Sequence, residues 1–498
     1  MTTERSNDYL LSLFHELRAL PRETEWVEFK VDNDEPQAIG EYISALANSA
    51  ALVGKAFAYL VWGVRDSDRA VVGTTFDPRA ARKGNEELES WLLRLLEPKL
   101  EFRFLNVDVD GKQVVMLEIS RAMVHPVRFS GQECIRIGSY TKKLKDYPER
   151  ERTLWRLIDR ASFEDGVAAA RASADDVLRL LDYPAYFELA QRPLPATREG
   201  ILGALADDRL IRRDDAGYWE IMNLGAILFA KQLDDFPSLR RKSVRVVQYR
   251  GLGRTETLKE KEWDKGYAAG FEGLLGYING LVPGNEVIGQ ALRRSVPMFP
   301  ELAVRELVAN ALIHQDFLVA GAGPMIEIFD DRIEITNPGE PLVDTQRLVD
   351  TPPRSRNEAL ASLMRRFRIC EERGSGIDKV VFQVELFQLP APLFETPGGF
   401  TRAVLFAHKP LTAMSKADRV RACYLHACLR YVMRQPMTNT SLRQRLGIND
   451  KNIASASRIL GEAVEAGQVV IADPEAGTRN RSYLPFWAAP RAERGEVV

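Results

Sequence analysis

Cysteine is scarce in this sequence: four among 498 residues (Cys134, Cys370, Cys423 and Cys428), scattered and in no paired pattern. That excludes a disulfide-stapled scaffold and suits a reducing cytoplasm. Cys423, His426 and Cys428 share one helical stretch, yet no second ligand pair follows at zinc spacing, so core or surface residues are the better reading there. An excess of charge of either sign is also missing, with 68 Lys+Arg against 70 Asp+Glu. Net charge therefore announces no nucleic-acid partner, and any such surface must be local. Long apolar runs are absent too. None approaches the roughly 18 residues of a membrane span, and the N-terminus lacks an apolar signal segment. A cytoplasmic location with no membrane partner is the expectation.

What is present is an ordered set of polar residues within apolar periodicity. Leu302, Val304, Leu307, Val308, Ala311 and Leu312 recur at helical spacing and predict an inward face. Glu306 and Asn310 lie four apart and project from one side of that helix, as pocket-lining polar residues often do. A hairpin is predicted next, Met325–Phe329 with Arg332–Ile335 turning at Asp330-Asp331, ending in the sharp loop Asn337-Pro338-Gly339. A glycine loop, Gly374-Ser375-Gly376, then precedes another apolar-periodic segment. Glycines ahead of a helix let backbone N–H groups approach phosphate oxygens.

These residues, in this order, resemble the divergent GHKL (Bergerat) ATP-binding fold shared by gyrase, Hsp90, histidine kinases and MutL, in the RecG-C-terminal-like branch that reads Asn-Pro-Gly. The resemblance implies ATP and Mg²⁺ as cofactors. Asn310 would hold the metal, Glu306 would polarise a water in an ATPase, Asn337 and Gly339 would face adenine, and Gly374, Ser375 and Gly376 would close over the phosphates. Commoner relatives carry an Asp where Asn337 stands, and an amide accepts a hydrogen bond more weakly than a carboxylate.

The length suits roughly three or four domains of about 100–200 residues. The fold class read from the sequence is α+β multidomain: an α+β domain over 1–160, a linker and winged-helix-like connector over 161–240, the ATP-binding α/β sandwich over 241–410, a C-terminal winged helix over 411–488, and a disordered tail over 489–498. In the first domain an amphipathic helix presents Tyr9, Leu10, Leu13, Phe14 and Leu17. Strands and a helix over Ile39–Ala51 follow, then a hairpin turning at Asp110-Gly111. The Ala-rich stretch after residue 160 reads as a linker helix, and the connector's Asp207, Asp208, Asp214 and Asp215 would repel a phosphate backbone.

Glu23-x4-Glu28-Phe29-Lys30, Ala45-Leu46-Ala47-Asn48, Trp62-Gly63-Val64-Arg65-Asp66 and Arg136-Ile137-Gly138-Ser139 resemble the AlbA-like domain of the Schlafen family. By that resemblance Glu23, Glu28 and Asp66 match the carboxylates of a metal-dependent ribonuclease site. Clustered carboxylates would bind Mg²⁺ or Mn²⁺, activating water and screening a phosphodiester; the bland alternative is charge at strand ends. Lys30, Arg65, Arg136, Lys142, Lys143 and Lys145 would supply phosphate contacts under either reading.

After Pro410 the balance turns basic, 11 Lys+Arg against 6 Asp+Glu over 411–487. A helix–turn–helix and hairpin pattern puts Lys451, Asn452, Ser455 and Arg458 on the second helix, which Asn449 would cap, with Arg479 and Arg481 on the wing. Such modules bind DNA or protein. Three functions stand after this reading: an ATP-responsive nucleic-acid-binding regulator acting on DNA before RNA; a metal-dependent nuclease under ATP control; and an assembly module in which ATP closes a homo-oligomer.

Overall fold

The computed structural model describes residues 7–20, 24–123, 125–159, 163–282, 284–288, 293–352, 354–370, 376–477 and 480–488. Glu23, Gly374, Ser375 and Arg479, all expected site residues, lie outside the described residues, as does the 489–498 tail. The chain forms two compact units, Met1–Ser162 with Arg213–Glu220, and Phe163–Arg212 with Ile221–Val498.

The first unit opens with the helix Asn7–Ala19, which buries the five apolar residues expected of it. A four-stranded sheet runs in the order Val27–Lys30, Phe57–Trp62, Lys112–Ser120, Phe102–Val109. The first pair is parallel, with Glu28 opposite Leu60. Parallel neighbours need a crossover, supplied here by the helix Pro36–Leu52, whose Glu35 cap accepts from the Ala38 N–H at 2.7 Å. The Phe102–Val109/Lys112–Ser120 hairpin turns at Asp110 and Gly111, both at positive φ (52° and 76°). That pair of angles is what a two-residue turn matched to strand twist requires.

A second four-stranded sheet is tied to the crossover helix by polar residues rather than grease alone. Asn48, fully buried, donates to the Val127 and Cys134 carbonyls (2.8 and 2.9 Å) and accepts from the Val127 N–H (2.7 Å). Ser44 donates to Val127 O at 2.7 Å, and Ser49 accepts the Arg136 N–H at 2.8 Å. On the same helix Gly40 is required by close approach, since a Cβ there would stand 2.2 Å from the Phe129 ring.

In the second unit the Ala-rich stretch corrects the helical expectation: Val167–Ala172 is a strand in a three-stranded sheet. Alanine is the strongest helix former, but helix propensity is a small energy per residue, and pairing with a neighbouring strand overrides it. Helix starts at Ala174, where Ser173 and Asp176 form a capping box. The central sheet has six strands in the order Thr257–Trp263, Val244–Tyr249, Met325–Ile328, Arg332–Pro338, Phe400–Phe406, Leu393–Glu395. Ile326 and Ile328 face Ile335 and Ile333 across the hairpin, while Glu327 stands opposite Glu334. Like charges so placed repel. Arg254 offsets them, reaching Glu327 at 2.6 Å and Glu334 at 3.2 Å, and Arg332 reaches Glu334 at 2.7 Å.

The helix Glu301–His314 packs on the Arg332–Pro338 strand and on the helix Gly376–Leu386. It buries Val304, Leu307, Val308, Ala311 and Leu312 as its periodicity predicts. Leu302, read as inward, is instead exposed in the first turn, where the helix has not yet entered the core. The C-terminal part comprises the helices Lys416–Val432, Asn439–Arg445 and Ile453–Glu465 and a small hairpin, Val469–Ile471 with Tyr483–Pro485. Asn449 caps there, but the element it caps is a short 3₁₀ turn, Asp450–Asn452, and the α-helix begins only at Ile453.

Candidate functional site

A cavity of about 260 Å³ opens beside the Glu301–His314 helix, lined by Glu306, Asn310 and His314 from that helix and by Asn337, Thr401 and Gly376. It lies just under the usual volume of small-molecule sites, about 300–1,000 Å³. Helical rise puts Glu306 and His314 about 12 Å apart, so the cavity has two ends.

One end is built by Glu306 and Gly376. The Glu306 side chain, 8% exposed, lies so close to Gly376 that a Cβ there would stand 2.0 Å from its Oε1. Only glycine fits. Gly376 is the first residue of the helix Gly376–Leu386, so this end places a carboxylate beside the start of that helix. Cys370 lines the same region; burial, then the Glu306 charge, pushes its thiol up to about 11, so it stays protonated and unreactive. Asn310 sits one turn further along the helix.

The other end is built by strand residues. Asn337, 5% exposed, closes the Arg332–Pro338 strand and donates through Nδ2 to Pro338 O at 3.2 Å. Its partner across the sheet is Thr401, whose hydroxyl donates to Gly339 O at 2.8 Å. Gly339 makes the turn at φ 97°, a Cβ there lying 2.7 Å from the Asp316 Cβ; its role here is shaping the loop. Burial and the Arg356 charge push His314 down to about 4, so it lines this end as a neutral ring at pH 7. Leu307, Ile335, Phe394 and Ala403 supply apolar wall. Thr401 was not legible as a site residue; its only sequence signal is the Gly398-Gly399 turn that delivers it beside Asn337.

In the first unit the strands bearing Glu28 and ending at Trp62 are sheet neighbours, as a carboxylate cluster would need. The charges are nonetheless committed elsewhere. Glu28 is ion-paired to Lys30 at 2.6 Å and to Arg136. Asp66 is solvent-exposed and pairs with Arg69 at 3.4 Å. Among the described residues no group of three or more His, Cys, Asp or Glu could hold a metal.

Arg136 departs from its expected place on a nucleic-acid face. It is 1% exposed, held by Glu28 and by Thr141 Oγ1 at 3.2 Å, and so presents no cation to a phosphate. Lys30 is half-buried against Glu28 and the Tyr42 ring. Lys142, Lys143 and Lys145 are exposed, as is Arg65, which pairs with Asp68 at 2.9 Å. In the C-terminal part Lys451, Asn452 and Arg458 are exposed, whereas Arg481 is half-buried. The acidic residues of the connector also have partners: Asp208 binds Arg366, and Asp215 binds Lys55 at 2.6 Å.

Among the described residues no helix is long and apolar enough to cross a membrane. No curated protein matches the chain. Among solved structures it is similar to the DIP2311 protein from Corynebacterium diphtheriae, at 18% identity over 96% of each chain, with a TM-score of 0.41. Residues 321–405 match the family model described as "Putative ATP-dependent DNA helicase recG C-terminal", a span that takes in Asn337, Gly376 and Thr401 but not the helix of Glu306 and Asn310. Residues 23–145 match the Schlafen, AlbA_2 family model. The chain thus joins a Schlafen AlbA_2-type segment to a RecG-C-terminal-type ATPase segment, the architecture its motifs predict.

Proposed function

We propose that this protein binds ATP with Mg²⁺ in the cavity beside the Glu301–His314 helix and binds nucleic acid, acting as an ATP-responsive regulator. The observation that carries the reading is the shared lining: Glu306, Asn310, Asn337 and Gly376, spread over 70 residues of sequence, line one cavity. A base would lie against Ile335 and Ala403 with its edge at Asn337, and the phosphates would reach toward Gly376. The Asn310 side-chain oxygen is a hard ligand suited to Mg²⁺, which commonly takes few protein ligands and completes its shell with phosphate and water. Bound there, the metal would neutralise charge on the phosphates. Glu306 could orient a water in an ATPase, its carboxylate held at the phosphate end by contact with Gly376.

Calorimetry with Mg²⁺ and ATP tests this. Asn310→Ala should weaken binding at least tenfold, about 1.4 kcal/mol. Equal affinity in the two proteins would remove Asn310 from the site.

Nucleic acid would meet two basic surfaces in this reading. One is the exposed Lys142, Lys143 and Lys145 of the AlbA_2-type segment. The other is the C-terminal part, whose three helices and hairpin follow a winged-helix order, with Lys451, Asn452 and Arg458 outward. Affinity for duplex DNA should fall steeply with salt. The nuclease reading draws less support, because Glu28 and Asp66 are each bound to cations that a metal would have to displace. Cleavage of labelled RNA or DNA with Mn²⁺, lost in Asp66→Asn, would reverse that ranking.

A further inference from the structure

The main cavity opens into a second, more polar recess lined by Arg354, Ser355, Glu358, Ser362 and Arg365. Arg354, Ser355 and Arg365 line both, so the two are continuous. Among the described residues three arginines therefore border the main cavity, and they differ in what holds them. Arg356 is committed: its guanidinium donates to His314 O and Glu340 O, each at 3.2 Å, and lies 3.8 Å from Asp316. Arg354 and Arg365 have no hydrogen-bond or ion-pair partner among the described residues. Arg365 is half-buried, where an uncompensated cation loses hydration and gains from a counter-anion.

Where the charge lies decides what it can reach. Arg365 lines the main cavity together with Glu306, Cys370 and Gly376, so its charge faces the space the nucleotide would fill. Glu358, Ser362 and Arg365 recur at helical spacing on the Glu358–Arg366 helix and so share one face. That helix's N-terminus is already occupied: Glu164 accepts from the Ala359 N–H at 3.2 Å and from the Leu360 N–H. The attraction in the recess therefore comes from guanidiniums and hydroxyls, not from the helix end. Among the described residues two cations face one carboxylate, Glu358, leaving their sum in the recess positive.

We propose that Arg354 and Arg365 form an anion subsite at the cavity mouth that takes the terminal phosphates of the bound nucleotide. This rests on the nucleotide reading above and adds to it the part of the ligand that these residues recognise. Paired guanidiniums favour phosphate oxygens over neutral groups, so the subsite discriminates among ligands by phosphate number.

The test is calorimetric titration of the full chain, with Mg²⁺, using ATP, adenosine and inorganic tripolyphosphate as separate probes. In Arg354→Gln/Arg365→Gln, ATP and tripolyphosphate affinity should fall at least tenfold while adenosine affinity stays within twofold. Arg365→Lys, which keeps the charge, should recover part of the loss. Unaltered adenosine binding also shows that the variant is folded. Wild type that binds ATP, with the double variant unchanged, overturns the subsite and keeps the nucleotide reading. Equal losses for ATP and adenosine also overturn it. Wild type that binds tripolyphosphate through these arginines, but neither adenosine nor ATP in preference to it, overturns the nucleotide reading and keeps the subsite. Anion binding that only nucleic acid displaces, and ATP does not, would reassign the arginines to a phosphate backbone and overturn the proposal.

Discussion

Asn48 offers the most quantitative test of how the first unit is built. It lies in the Ala-Leu-Ala-Asn sequence that carries part of the Schlafen resemblance, and in the structure it contacts only the protein interior, fully buried between a helix and a sheet. Asn48→Ala removes all three of its hydrogen bonds. Val127 O keeps the Ser44 hydroxyl at 2.7 Å, but the Val127 N–H loses the acceptor on which it closes. One orphaned buried donor costs about 1–3 kcal/mol, and two lost bonds about 0.5–1.5 kcal/mol each. Alanine's helix propensity returns about 0.5 kcal/mol. The net loss is roughly 2–5 kcal/mol, which at a urea slope of about 1–3 kcal/mol/M moves the midpoint down by at least about 0.7 M. Urea unfolding followed by tryptophan fluorescence reads it, because Trp26, Trp62 and Trp91 all belong to this unit. Asn48→Asp should cost at least as much, since a carboxylate cannot donate to the two carbonyls. A midpoint shift below about 0.3 M in Asn48→Ala would refute the argument. Loss of nucleic-acid binding without loss of stability would point to an exposed role that the burial denies.

Three further outcomes are expected. Gly376→Ala should drive the Glu306 carboxylate from its place, since the new Cβ would lie 2.0 Å from Oε1, and ATP affinity or turnover should fall at least tenfold; unchanged values would mean the contact is not part of the site. Asn337→Asp should raise the ratio of ATP to GTP affinity, because an amide can present either a donor or an acceptor to a purine edge while a carboxylate only accepts; an unchanged ratio would detach Asn337 from base recognition. Burial, then Asp350, pushes the Asp378 carboxyl up to about 6, so the folded chain holds this proton more tightly than the unfolded one. The stability this proton supplies is complete below about 4 and is lost as pH rises through 6. Asp378→Asn should therefore gain in thermal midpoint relative to wild type between pH 4.5 and pH 7.5, and a constant difference across that range would contradict the burial argument.

Local conformation was legible from the sequence because it is decided locally. The Asp110-Gly111 turn, the buried face of the first helix and the common side of Glu306 and Asn310 follow from periodicity and from which residues tolerate positive φ. The order of the motifs likewise announced both matched segments. What tertiary structure alone decided was the fate of charges and the pairing of strands. Arg136 reads as a surface cation, and only folding brings it to Glu28, 108 residues away, where it is buried. Val167–Ala172 becomes a strand because a neighbour completes its backbone hydrogen bonds, which no local preference of alanine could foretell. Arg356 is occupied while Arg354 and Arg365 have no partner among the described residues, a distinction set by which carbonyls and carboxylates the fold carries past each of them. A side chain's type is written in the sequence, whereas its partner comes from distant parts of the chain, and electrostatic function depends on the partner.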